Sequence, residues 1–242
     1  MSNNSLDVLC KVFREELTAV FSDHLQSIIL YGSATGPDYI AGVSDHNFLV
    51  VLDDTGMAEL DKARSLVTGW RKKKIAMPLF MSEQYIQASL DSFPIEFLNM
   101  QLSRRVVLGE DVIAELEINS EHLRLQAERE VKGYLLKLRQ GLILSLGKAS
   151  EMRALVIDSL SALTSLFRAL LVLKNLEVPE VKQEVIMAAC QAFGLDDALF
   201  RRLNTLRSKS EKIDKTDLDA LLHRYIDEVA KLTLQVDQWN VQ

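Results

Sequence analysis

The sequence predicts an α+β fold in two parts. A small mixed sheet with flanking helices occupies residues 1–118, and an α-helical bundle occupies residues 119–242. Two observations carry this. In Ser27 to Asp54, two apolar runs rich in branched residues, Ile28-Ile29-Leu30-Tyr31 and Phe48-Leu49-Val50-Val51-Leu52, flank a loop punctuated by Gly32, Gly36, Pro37, Gly42 and Ser44. Short apolar runs bounded by turn residues are the signature of buried strands. From Ser120 onward glycine and proline thin out, and apolar residues recur at helical spacing instead.

Each element can be justified in order. Leu6 to Phe21 places Leu6, Val8, Leu9, Val12, Phe13, Leu17, Val20 and Phe21 mostly at helical spacing, so it predicts an amphipathic helix on the sheet. Ser27 to Tyr31 is the first strand and Phe48 to Leu52 the second. Asp53-Asp54-Thr55-Gly56 supplies a turn and a helix cap, and Met57 to Arg71 is predicted as one helix. Ile75 to Met81 is a strand interrupted by Pro78, which places it near a sheet edge. Ser82 opens a short helix to about Ser92. Ile95 to Met100 alternates as a strand would, with Glu96, Leu98 and Met100 on one face. In the second part, helices are predicted for Ser120 to Leu146 and for Ala149 to Leu176. Further helices run from Pro179 to Phe193, from Asp196 or Asp197 to Leu206, and from Thr216 to about Gln238. A charged, mobile loop is expected over Ser208 to Lys215.

Composition narrows the function. The 242 residues are 48% hydrophobic and 26% charged, with a net charge of -6. That balance provides no electrostatic case for duplex DNA or an anionic membrane as the main partner. The basic run Arg71-Lys72-Lys73-Lys74 reads either as a solvated helix end or as a phosphate-facing edge. Cys10 and Cys190 are the two cysteines, and they suggest neither a disulfide framework nor a metal motif. With no signal pattern at the N-terminus, a reducing, cytoplasmic setting is expected. Ala154 to Leu173 is apolar enough to raise a membrane span, but it contains Asp158 and Arg168. It reads as the central helix of a soluble bundle, with Asp158 buried in a polar network or lining an acceptor pocket.

The polar triplet Asp45-His46-Asn47 opens the second strand. Alternation puts Asp45 and Asn47 on one face and His46 on the other. A carboxylate beside an amide oxygen offers hard donors of the kind that suit Mg²⁺ carrying a nucleoside triphosphate. Gly32 lets backbone approach a phosphate, and the N–H groups and hydroxyl of Ser33 can hold its oxygens. The GxxxxGK[ST] phosphate loop is absent.

An apolar strand, Gly32-Ser33, a loop of about a dozen residues, then Asp45-x-Asn47 opening another apolar strand: this order resembles the nucleotidyltransferase superfamily. That superfamily includes aminoglycoside adenylyltransferases and minimal nucleotidyltransferases. The likeness covers roughly residues 20 to 110, and Asn47 stands where the family has a second Asp. The resemblance implies a third carboxylate on a later strand, for which Glu96 is the candidate. It implies that Asp45, Asn47 and Glu96 hold Mg²⁺, that Asp45 and Glu96 are catalytic, with Glu96 as general base, and that Gly32 and Ser33 bind nucleotide. The helical half resembles the bundle attached to many antibiotic nucleotidyltransferases, where Lys132 and Arg139, seven residues apart, would meet triphosphate oxygens or an acidic acceptor. Both also read as ordinary surface charge.

The activity implied is Mg²⁺-dependent transfer of a nucleotidyl group, AMP from ATP, to a hydroxyl of a small molecule or protein. The partners implied are a nucleoside triphosphate and that acceptor, with a homodimer as the assembly considered. Asn47 motivates a different reading: a catalytically degenerate domain that binds nucleotide or another protein as a regulatory module. A scaffold unrelated to nucleotides is the third.

Overall fold

Strand pairing organises the first half of the chain. The computed structural model describes residues 3–40, 44–206 and 213–239. Two units divide the chain, Met1–Ile118 and Asn119–Gln242. Gly42 and residues 208–212 of the expected charged loop lie outside the described residues.

In the first unit, α1 (Asn3–Phe21) leads into β1 (Leu25–Tyr31), which ends in a 3-10 turn over Gly32–Thr35. Then come β2 (Asn47–Leu52), α2 (Asp54–Ala58), a 3-10 stretch over Leu60–Leu66, α3 (Val67–Lys72), β3 (Leu79–Met81), α4 (Glu83–Ala88), α5 (Pro94–Leu102) and β4 (Arg104–Leu108). The strands form one sheet in the order β3-β2-β1-β4. β1 is antiparallel to both β2 and β4, and β2 is parallel to β3. Pro78 sits just before the edge strand β3, where a missing N–H breaks no ladder.

Both faces of the sheet are covered, which explains why its central strands are continuous apolar runs. Ile28, Leu30, Phe48, Val50 and Leu52 face one core with Cys10, Phe13, Leu17 and Phe21 of α1 and Trp70 of α3. Ile29, Leu49 and Val51 face a second core with Ile86 of α4, Phe97 and Met100 of α5, and Ile113 and Leu116.

Two sequence expectations are corrected here. Met57 to Arg71 is not one helix but the end of α2, a 3-10 stretch and α3. Ile95 to Met100 is not a strand: it lies in α5, which begins with Pro94 at its first helical position. The Asn99 side chain donates to the Ile95 carbonyl at 2.8 Å, a bond across one helical turn. The fourth strand is instead Arg104–Leu108, bounded by Gly109 at φ +74°.

The second unit contains α6 (Ser120–Leu144), α7 (Ala149–Leu173), α8 (Lys182–Phe193), α9 (Asp197–Thr205) and α10 (Lys215–Asp237). Asn119 caps α6 by accepting from the N–H groups of Glu121 and His122. Gly194 closes α8 in the left-handed conformation. By length and hydropathy α7 could cross a membrane, and half of its most apolar window is buried in this fold. Its buried stripe runs through Met152, Val156, Leu160, Leu163, Phe167 and Leu170. Asp158 is exposed, not buried: it lies on the opposite stripe with Ala154, Ser161 and Ser165. The helix is apolar on that side only through small residues, which cover little and leave the carboxylate in water.

Candidate functional site

The end of β1 is held by bonds to both backbone groups of one residue, Gly32. Gly32 has φ +79°, a conformation that L side chains rarely adopt. Its N–H donates to the Ser103 carbonyl at 2.8 Å. Its carbonyl accepts from Thr35 Oγ1 at 2.9 Å and from Ser103 Oγ at 3.0 Å, and the two hydroxyl oxygens lie 2.7 Å apart. Each hydroxyl has one hydrogen, so at any moment one bonds to Gly32 and the other to its neighbour. Ser103 therefore latches the turn from the junction of α5 and β4. Arg104 anchors that junction in turn, donating from Nε to both Asp111 oxygens at 3.0 and 2.8 Å and from its guanidinium to the Gln101 carbonyl. Neither Thr35 nor Ser103 was legible as a site residue, because their role depends on a contact 68 positions apart.

The polar triplet reaches this turn through strand register. Tyr31 pairs with Asn47, so Asn47 lies across from the residue that precedes Gly32. A Cβ built on Gly32 would stand 3.3 Å from Asn47 Nδ2. The amide thus borders the space that a side chain at position 32 would fill. Asp45 is exposed at the mouth of β2. His46 faces the other way and is 6% exposed. Its Nδ1 lies 3.2 Å from the Lys74 carbonyl and its Nε2 3.2 Å from the Tyr39 hydroxyl. A carbonyl can only accept, so Nδ1 carries the hydrogen and Nε2 accepts from Tyr39. His46 is a structural link between β2 and the segment after α3.

Glu96 occupies the first turn of α5 and is exposed. It does not lie on a strand beside β2, so the basis for reading it as a third strand carboxylate is gone. The strands alongside β2 are β1 on one side and, after Ile75, β3 on the other, and neither Leu25–Tyr31 nor Ile75 to Met81 contains a carboxylate. Among the described residues, no three His, Cys, Asp or Glu side chains gather as a group that could hold a metal ion. A resident Mg²⁺ of the three-carboxylate kind does not fit the residues present. Asp45 is the one motif carboxylate, and the amide beside it is a neutral, weaker ligand.

Lys132 and Arg139 belong to α6, in the second unit. Lys132 is held by Glu128 at 2.6 Å and by Asp237 of α10 at 2.5 Å. Arg124 adds a bond to Glu128 at 2.8 Å. The Lys132 ammonium is the first cause that holds the Glu128 and Asp237 carboxyls below their ordinary range, and Asp237 is the first cause that pushes the Lys132 ammonium up. Arg139 is exposed two turns further on. Both cysteines are buried, and burial is the first cause that pushes their thiols up, Cys190 to about 12. Neither is a nucleophile near neutral pH.

A small mixed sheet with a Gly-Ser turn facing an Asp-x-Asn strand, followed by a helical bundle, has the architecture of the nucleotidyltransferase fold. The crystal structure of spectinomycin adenyltransferase AAD(9) from Enterococcus faecialis with ATP and spectinomycin aligns with a TM-score of 0.55 at 13% sequence identity, covering 93% of this chain and 99% of that chain. No family model and no curated protein matches the sequence.

Proposed function

We propose that the chain is a nucleotide-binding protein of nucleotidyltransferase fold, with a nucleoside triphosphate seated at the Gly32–Ser33 turn. The observation that carries this reading is the Gly32 peptide. It is fixed by Ser103 and Thr35 in a left-handed conformation and faces an amide side chain across β1 and β2. With the Gly32 N–H and carbonyl already bonded, the turn is held so that the Ser33 N–H and hydroxyl can meet phosphate oxygens with little rearrangement. The neighbouring structure was solved with ATP, which supports the same ligand class. The missing third carboxylate favours the regulatory alternative, in which the domain binds nucleotide but does not transfer it.

A second reading is favoured by one observation. The alignment covers 99% of the chain of an adenyltransferase solved with ATP and spectinomycin. Under that reading AMP passes from ATP to a hydroxyl of a small molecule or protein.

Calorimetric titration with ATP tests the first reading. Saturable binding is expected, and Gly32→Val should abolish it while helical circular dichroism is retained, because a branched side chain would fill the phosphate approach. ATP affinity surviving in that variant would remove the turn from the site. Incubation of labelled ATP with aminocyclitols and a whole-cell lysate tests the second reading: labelled product supports transfer, and its absence in protein shown to bind ATP leaves the regulatory reading standing.

A further inference from the structure

A triphosphate brings several negative charges to the turn, and a carboxylate facing the same space would repel them unless a cation stood between. An amide changes that balance. Asn carries two N–H donors on its nitrogen and can bond to a phosphate oxygen directly. In this chain the residue opposite Tyr31 is Asn47, and its Nδ2 borders the open side of Gly32 at 3.3 Å from the position of a Cβ. A donor group borders the turn at the position where the resembled motif has a carboxylate.

The surroundings do not restore the lost charge. On one side of Asn47 the partner is Tyr31. On the other, β3 runs parallel to β2 with Leu49 beside Leu79, and the residues preceding β3 are Ala76, Met77 and Pro78. Glu96 is on a helix and exposed. Asp45 alone remains, exposed at the strand mouth. One carboxylate can accept a hydrated Mg²⁺ that arrives with phosphate, but it does not make the ion a requirement.

We infer that the Gly32–Ser33 turn takes a nucleoside triphosphate without a divalent cation, the Asn47 amide donating to a phosphate oxygen in the place of a metal-bridging carboxylate. This rests on the nucleotide-binding reading and adds its cation independence. The Asp→Asn departure from the resembled motif then marks a change in how charge is met, rather than a weakened version of the same metal site.

The test is ATP titration of the full chain in EDTA and again in excess Mg²⁺. The two dissociation constants should agree within about threefold, the scale of a solvent-screened contact. Asn47→Asp should bind ATP at least about tenfold more weakly in EDTA than in Mg²⁺, having exchanged a donor for a charge. Asn47→Ala, which removes the donor without adding charge, should weaken binding about two- to tenfold in both buffers alike. Wild-type binding that appears only with Mg²⁺ would overturn the inference and leave the nucleotide reading intact. Asn47→Asp indifferent to EDTA would likewise overturn it, by showing that the side chain does not face the phosphate. No ATP binding by the folded chain in either buffer would overturn the nucleotide reading itself.

Discussion

The two units hold their chains in different ways. In the sheet unit, position is set by backbone register and by glycines at positive φ, where a side chain is strained. Gly32 faces Asn47, and Gly109 stands so close to β1 that a Cβ would lie 2.0 Å from the Gln26 carbonyl oxygen. In the bundle, position is set by side chains: an apolar stripe along α7, and ion pairs and caps at helix ends such as Lys132 with Asp237 and Arg224 with Asp196. Gly194, the left-handed glycine after α8, has nothing within 4 Å of a built Cβ. The difference teaches where fine geometry resides. A turn whose glycine has both backbone groups bonded can present a ligand site with little freedom, whereas a bundle tied at its surface by exposed charges tolerates adjustment there.

The largest expected effect tests the sheet core. Phe48 is buried at 1% exposure and stacks on Phe13 with ring centroids 4.1 Å apart. Phe48→Ala should destabilise the sheet unit by about 3–5 kcal/mol. Hydrogen exchange should show this as protection of β1 and β2 amides falling by roughly two to three and a half orders of magnitude. Protection in α7 should change far less. An equal fall in α7 would mean that the units unfold as one, and the contrast between them would lose its energetic content.

A matched pair sharpens the contrast at intermediate size. Gly109→Ala and Gly194→Ala both put a side chain on a residue of positive φ, +74° and +56°. At Gly194 the cost is conformational alone, about 1 kcal/mol. At Gly109 the clash with the Gln26 backbone adds to it, for a total of roughly 2–4 kcal/mol. Urea midpoints of the two variants should separate accordingly. Equal losses would show that β4 can shift away from β1, and that the sheet is less rigid than its packing implies.

The same contrast explains what could be read in advance. The strands β1 and β2, the caps and the bundle helices were legible because each rests on local chemistry: an apolar run, a capping Asp, a terminal glycine. The orientations of Asn47 and His46 were legible because side-chain alternation along a strand is fixed, and the turn at Gly32 because a glycine closes an apolar run. Glu96 was misplaced because a six-residue apolar run satisfies strand and helix patterns about equally. The arbiter was present but weak: Pro94 at a first helical position with an acid two residues later. The true fourth strand, Arg104 to Leu108, was hidden by its two arginines, one of which pairs with Asp111 and the other with Asp7. Ser103 and Thr35 could not be found at all, since nothing local says that two ordinary hydroxyls meet at one carbonyl. Asp158 was misjudged because an apolar average hides a face made of small residues.

The smallest expected effect is electrostatic, and it falls unequally on the two units. In the bundle, bonds from Lys132 come first among the causes that hold the Glu128 and Asp237 carboxyls below their ordinary range, and the Leu199 N–H does so for Asp196, with Arg224 adding to it. In the sheet unit Asp53 is held down first by the Gly56 N–H and then by His24. Each of these carboxyls releases its proton more readily folded than unfolded. Its stabilising contribution is therefore present above the unfolded values, about 3.9 for Asp and 4.3 for Glu, and is lost as pH falls through the lower folded value. With more such carboxyls in the bundle, acidification from pH 5 to pH 3 should reduce exchange protection in α6 and α10 more than in β1 and β2. Solvent screening keeps each contribution small. Lys132→Met removes the partner shared by Glu128 and Asp237, so in that variant the extra loss in α6 and α10 should shrink. If it persists undiminished, the acid sensitivity of the bundle arises elsewhere than at the charged link between its first and last helices.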